Sequence, residues 1–193
     1  MEYFYDGTKP KKKEKSHGKL VVQQRMRLAM GFLHPLRPII AETWLLQGDG
    51  NKSKAFGRAL KKLMQDGIEG QYPEQYILPD RVAISLGLLP GVTIEEVAIS
   101  EQLVEVYFSS NENPLSRNTD EVVLIAYSPE LQMAGKNERT YYRKEEYLAM
   151  ELPVHFADGF FHLYLYVRSA KGNQYSKSIY LGGFEGYRGS NRQ

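Results

Sequence analysis

Four histidines are the first place to look for chemistry in this chain: His17, His34, His155 and His162. A nucleophilic site needs a Ser, Thr or Cys beside a base, with that base held by a third group. His155 and Asp158 flank a turn in VHFAD and can meet there, yet no Ser in a strained elbow stands nearby and GxSxG is absent. The plain alternative is a loop histidine with a satisfied hydrogen bond. Zinc needs three or four converging ligands. His155 and His162 lie seven apart across a turn, and there is no cysteine to join them. SSNENPLSRNTD is rich in Asn but lacks the alternating spacing of a calcium loop. The glycines of LGGFEGYRG follow the last strand signal and precede no helix, so the segment reads as a flexible tail rather than a phosphate loop. The expectation is no catalytic residue, no cofactor and no metal.

Two other groups of residues are suited to binding rather than catalysis. The first is basic: Lys11, Lys12 and Lys13 in KPKKKEK, the pair Arg25 and Arg27, and the stripe Lys54, Arg58, Lys61 and Lys62. Together they would attract phosphate backbones through counterion release. A solvated amphipathic helix shows the same basic face with no partner at all. The second is aromatic. The chain has 14 tyrosines, and Tyr164, Tyr166, Tyr175 and Tyr180 stand with Arg168 in the final strand runs. Tyrosine offers rigid contact area with a polar tip, which suits a partner surface. It equally suits cross-strand pairing, or a sheet face buried beneath helices.

These residues must be positioned by two kinds of element. Residues 1–18 read as a flexible basic arm, since like charges repel and no apolar period is present. A helical unit follows over 19–70. Val22, Met26, Ala29, Met30 and Leu33 recur at spacings of three and four, and Pro35 and Pro38 should break that helix and restart a second. In KSKAFGRALKKLMQDG, Phe56, Ala59, Leu60, Leu63 and Met64 form one face of a further helix, and Gly67 stands where it should stop. Residues 71–91 read as a linking strand near Gln75–Ser85. Over 92–182, short runs rich in Val, Ile and Tyr alternate with Gly, Pro and Asn turns, the pattern of a seven-stranded antiparallel β-sandwich of immunoglobulin or fibronectin-III type. Residues 183–193 are the expected tail. The fold class is α+β. In FHLYLYVRS, Phe161, Leu163, Leu165 and Val167 face one way, and His162, Tyr164, Tyr166 and Arg168 the other.

Length and composition narrow the class further. At 193 residues, with 42% hydrophobic and 25% charged, the chain can bury a core without metal or disulfide support. The net charge of +2 hides an asymmetry: residues 1–80 hold 14 Lys/Arg against 9 Asp/Glu, and residues 81–193 hold 11 against 14. The N-terminus lacks the order of a cleavable signal peptide, and no apolar run approaches the roughly 20 residues of a membrane span. A cytoplasmic protein, or one inside a macromolecular assembly, is expected.

Three stretches carry a resemblance: QQRMRLAMGFLHPLRPII; DRVAISLGLLPG with the later DEVVLIAYSPE; and VHFADGFFHLYLYVRSAKGNQYSKSIYLG. In that order they resemble an uncharacterised family of proteins of about this length from Bacteroidota, a domain of unknown function, over about residues 23–182. The family usually opens with a Gly-rich, hairpin-like segment, where this chain has its tyrosine- and lysine-rich arm. The resemblance implies the two-part architecture and brings no activity, cofactor or catalytic residue. The leading expectation is a non-enzymatic binding or structural module, a subunit of a larger assembly, with a protein partner or self-association through the tyrosine-rich face. The alternative is a nucleic-acid-associated protein using the basic N-terminal half. A hydrolase or carbohydrate-binding role ranks third.

Overall fold

Pro35 and Pro38 divide the helical region where ring sterics require it. In the computed structural model, which describes residues 16–44, 52–110 and 113–186, α1 spans His17–Leu33 and α2 spans Arg37–Thr43, with proline in its first turn. The third helix, α3, spans Lys52–Asp66. Its apolar face buries Ala55, Phe56, Ala59, Leu60 and Leu63, as its period predicts. In α1 only Ala29, Phe32 and Leu33 are buried. Val22, Met26 and Met30 of the predicted stripe stay exposed. The N-terminal half of α1 instead rests its Leu20, Val21, Gln24 and Leu28 side on the body of the protein.

The expected linking strand is much shorter than its sequence suggests. Tyr76–Ile77 (β2) pairs antiparallel with Ile68–Glu69 (β1), and a 3-10 turn at Pro79–Arg81 then ends it. Pro79 has no N–H for a ladder. Beyond it the chain is extended and is tied to residues near 175–178 through Ser178 N to the Ser85 carbonyl at 3.1 Å, Leu89 N to the Tyr175 carbonyl at 3.1 Å, and the Ser85 hydroxyl to the Ser176 carbonyl at 2.7 Å.

Eight further strands follow among the described residues: β3 Thr93–Ser100, β4 Leu103–Ser109, β5 Glu121–Ser128, β6 Met133–Lys136, β7 Tyr141–Tyr142, β8 Tyr147–Glu151, β9 Phe160–Arg168 and β10 Ile179–Glu185. They form two antiparallel sheets, ordered β3-β4-β8 and β10-β9-β5-β6, with β7 also pairing β5. Three details depart from the sequence reading. SPELQMAGKNE, expected as a turn, contains β6. RTYYRKEEYLAMEL, expected as one strand, is split by a turn at Arg143–Glu145 because the Arg143 side chain is drawn wholly inside. Gly183–Glu185, expected as the start of the tail, belongs to β10; the register shifts between Tyr180 and Gly182, where φ is +133°.

The centre of the molecule is β9. Its Phe161, Leu163, Leu165 and Val167 meet Val104, Val106, Phe108, Leu148 and Met150 of the facing sheet in one core. From its other side Tyr164 and Tyr166 enter a second core with Phe32, Leu33, Leu36, Ile40 and Trp44 of the helical region. The helices are therefore a third layer on the outer face of the larger sheet. The helical stretch shares its core with β5 and β9 rather than closing one of its own, which suits its small size.

Candidate interaction surfaces

The tyrosine face predicted for a partner is occupied within the chain. Tyr164, Tyr166 and Tyr175 are buried. The Tyr164 hydroxyl donates to the Pro79 carbonyl at 2.9 Å, and its ring lies 5.2 Å from that of Tyr180. Phe32 of α1 meets Tyr127 edge-on at 4.8 Å, a favourable aromatic geometry. Burial pushes the phenol pKa of Tyr164 and of Tyr166 well up; nearby carboxylates and phenols add to it, and at Tyr166 the Arg168 charge opposes it. Arg168 is tied to Glu121 at 2.5 Å and to Glu42 of α2 at 3.1 Å, and the Tyr175 hydroxyl reaches the same Glu42 carboxylate at 3.0 Å. Half-buried Tyr180 places its hydroxyl 3.0 Å from His162 Nδ1. The expected partner surface is thus the seam between helices and sheet. The alternation of FHLYLYVRS was read correctly; what covers its tyrosine side is decided by residues more than a hundred positions earlier.

The predicted basic surface is likewise partly consumed by the fold. Arg25 donates to the carbonyls of Met64 and Ile68, satisfying the C-terminal end of α3. Arg58 donates to the Trp44 carbonyl at 2.8 Å, just past α2. Lys62 pairs with Asp66 at 2.8 Å along one helix face. Arg27, Lys54 and Lys61 are exposed. Lys11, Lys12 and Lys13 lie outside the described residues.

The remaining chemical candidates are placed as follows. His155 and Asp158 are both exposed beside the turn before β9. His34 is exposed at the end of α1, and His162 is buried, its pKa lowered by desolvation. Among the described residues, no group of three His, Asp or Glu is placed to hold a metal ion, and no helix is long and apolar enough to cross a membrane. Arg143 and Asp120 are 0% and 1% exposed, 3.6 Å apart. The guanidinium also donates to the carbonyls of Gly91 and Pro90, each at 2.7 Å. Burial lowers its pKa, and the Asp120 charge opposes that shift. This cluster locks two loops and does not open to solvent.

Three apolar features are exposed that the sequence did not mark as surface. Val22, Met26 and Met30 form a row along the outer side of α1, 57%, 42% and 37% exposed. Beside them stand Lys19, Gln23 and Arg27, also exposed. Exposed Leu88 and Leu115 line a cavity of about 370 Å³ together with Gly87 and Tyr175. A groove of about 590 Å³ runs between the unpaired edges of β6 and β8. The α1 row eluded the sequence because apolar residues at spacings of three and four read as inward-facing wherever the helix sits.

Three helices covering one face of a two-sheet antiparallel body define an α+β protein whose candidate surfaces lie on its helical layer and sheet edges. The chain belongs to the family of unknown function DUF6266, whose model matches residues 2–182. The match includes the tyrosine- and lysine-rich opening, which is therefore part of the family's span rather than a replacement for it. No curated protein and no solved structure matches the chain.

Proposed function

We propose that this protein is a non-enzymatic binding or structural module, a subunit of a larger assembly, built on a β-sandwich in immunoglobulin or fibronectin-III order. The sheet orders β3-β4-β8 and β10-β9-β5-β6 support the fold reading. In immunoglobulin-type sandwiches the third, sixth and seventh strands share a sheet, and an added strand extends it beside the third. Taking β3 as the first strand, β5, β9 and β10 fill those three places and β6 the added one. One observation carries the functional reading: the helical layer uses its inner side to complete the fold and leaves an apolar row on its outer side. Exposed apolar groups rimmed by polar ones mark interaction sites.

The alternative, a nucleic-acid-associated protein, draws on Arg27, Lys54 and Lys61, which remain exposed. Against it, Arg25 and Arg58 are engaged with backbone carbonyls. Its affinity for duplex would fall steeply with salt.

The test is photo-crosslinking in the native cell. A benzophenone side chain replaces Met26, Leu88 or Leu103 (exposed, and lining the groove between β6 and β8), one at a time, in the full chain. The module reading expects a discrete heavier adduct from at least one position. Monomer alone from all three overturns it.

A further inference from the structure

Resting on that module reading, we infer that the outer side of α1 docks an acidic amphipathic helix of a partner protein. Val22, Met26 and Met30 lie at i, i+4 and i+8, so they form one ridge of the helix surface. Such a ridge fits the groove between side-chain rows of a second helix. Two of the three residues are methionine, whose unbranched, polarisable side chain packs against irregular apolar partners. Lys19, Gln23 and Arg27 make the adjoining row, one residue further round the helix.

Charge selects the occupant. From Ser16 to Ala41 the chain holds Lys19, Arg25, Arg27 and Arg37 and no Asp or Glu. Glu42, the first acid after that stretch, is held by Arg168 and Tyr175 on the sheet side. A helix docked on the ridge therefore meets cations along its flank with no acid from α1 to balance them. Carboxylates at the matching flanking positions, as in paired helices with charged edges, complement it. A second copy docking through the same face would set Lys19 and Arg27 against their own equivalents. The chain's first 15 residues hold five lysines against three acids, so they carry the same sign as α1. The ridge has no aromatic residue, unlike helices that lie in membrane interfaces. A nucleic acid would satisfy the cations but leave the apolar ridge uncovered.

The experiment uses two fluorescent three-heptad peptides with Leu at the seam positions, one with Glu and one with Lys at the flanking positions. Like charge keeps each from pairing with itself. Anisotropy titrations against the full chain should show the Glu peptide binding at least about tenfold more tightly than the Lys peptide, a difference of about 1.4 kcal/mol. Met26→Glu should abolish binding while leaving the circular dichroism spectrum unchanged, since the site is exposed and Glu is a good helix former. Lys19→Glu combined with Arg27→Glu should invert the preference. Equal binding of both peptides, or of neither, overturns the inference. So does tighter binding to phosphatidylglycerol vesicles or to duplex DNA, or a dimer in sedimentation that Met26→Glu dissolves. Crosslinks at Leu88 or Leu103 with none at Met26 would refute this surface and leave the module reading standing.

Discussion

Replacing Arg143 by Met should be the most damaging single change in the β-rich part of the protein. The side chain is fully buried and serves three groups: the carbonyls of Gly91 and Pro90 at 2.7 Å and the Asp120 carboxylate at 3.6 Å. Met fills a similar volume but donates nothing. Both carbonyls then lose a charged donor, and Asp120, at 1% exposure, keeps its bonds from the N–H of Arg117 and the weaker one from Ala170 but loses its counter-charge. Stranding one partner of a buried pair costs about 3–5 kcal/mol. Set against a typical total of about 5–15 kcal/mol, that is a large fraction of stability. For a chain of this size each kcal/mol moves Tm by about 2–4 °C, so a drop of about 6–20 °C is expected. The assay is urea and thermal unfolding followed by Trp44, the single tryptophan and a buried one. Adding Asp120→Asn removes the stranded charge, and the double variant should be less destabilised than the two singles sum to, by about 1–3 kcal/mol. A loss below about 1 kcal/mol for Arg143→Met, or strict additivity, would refute the assignment of this cluster as a buried lock.

Tyr127→Phe should stabilise the protein by up to about 1–3 kcal/mol, because the buried hydroxyl has no hydrogen-bond partner among the described residues. Tyr164→Phe should cost about 0.5–1.5 kcal/mol by removing the bond to Pro79; equal effects in urea melts would contradict both. His162 adds a pH dependence of fixed sign. Its folded pKa lies below the ordinary 6.5. Above about pH 6.5 it is neutral in both states and neutral to stability, while below that the unfolded chain takes up a proton that the fold resists. Stability should therefore fall from about pH 6.5 downward, by up to 1.36 kcal/mol per pH unit until the folded pKa is reached. His162→Asn should flatten that stretch of the curve, and an unchanged slope between about pH 6.5 and pH 5.5 would exclude His162 as its source. Gly87→Ala sets a Cβ 2.0 Å from the Tyr175 carbonyl oxygen, and it should cost at least about 1–3 kcal/mol; a Tm matching wild type would show that this contact yields.

Helix α3 was legible because its apolar and charged residues fall on opposite sides, strands β4 and β9 because they alternate, and β5 because Val122–Tyr127 is a continuous run rich in branched and aromatic residues. Strand β6 was not, since Met-Ala-Gly-Lys has no β-branched residue and pairs only because β5 extends past it. The single run RTYYRKEEYLAMEL hid a turn that Arg143 dictates through partners about fifty residues earlier in sequence. Which side of an element is covered was not legible, for one physical reason. Periodicity identifies the two sides of an element but not which is covered. The tyrosine side of β9 suited either a partner or a covering of helices, and α1 and α2 cap it. The Val22–Met26–Met30 row of α1 was read as part of one apolar stripe with Ala29 and Leu33, yet it faces outward while those two are buried.

Burial of β9 on both sides also sets the order in which this protein can be completed during synthesis. Helices α1 to α3 end at Asp66, and β9 begins at Phe160. At roughly 5–20 residues per second, the ribosome needs about 5–20 s to add the segment between them. Through that interval Phe32, Ile40 and Trp44 lack the β9 tyrosines that complete their core. Neither core can close until the last hairpin emerges, and a chain cut short before residue 160 would lose both at once.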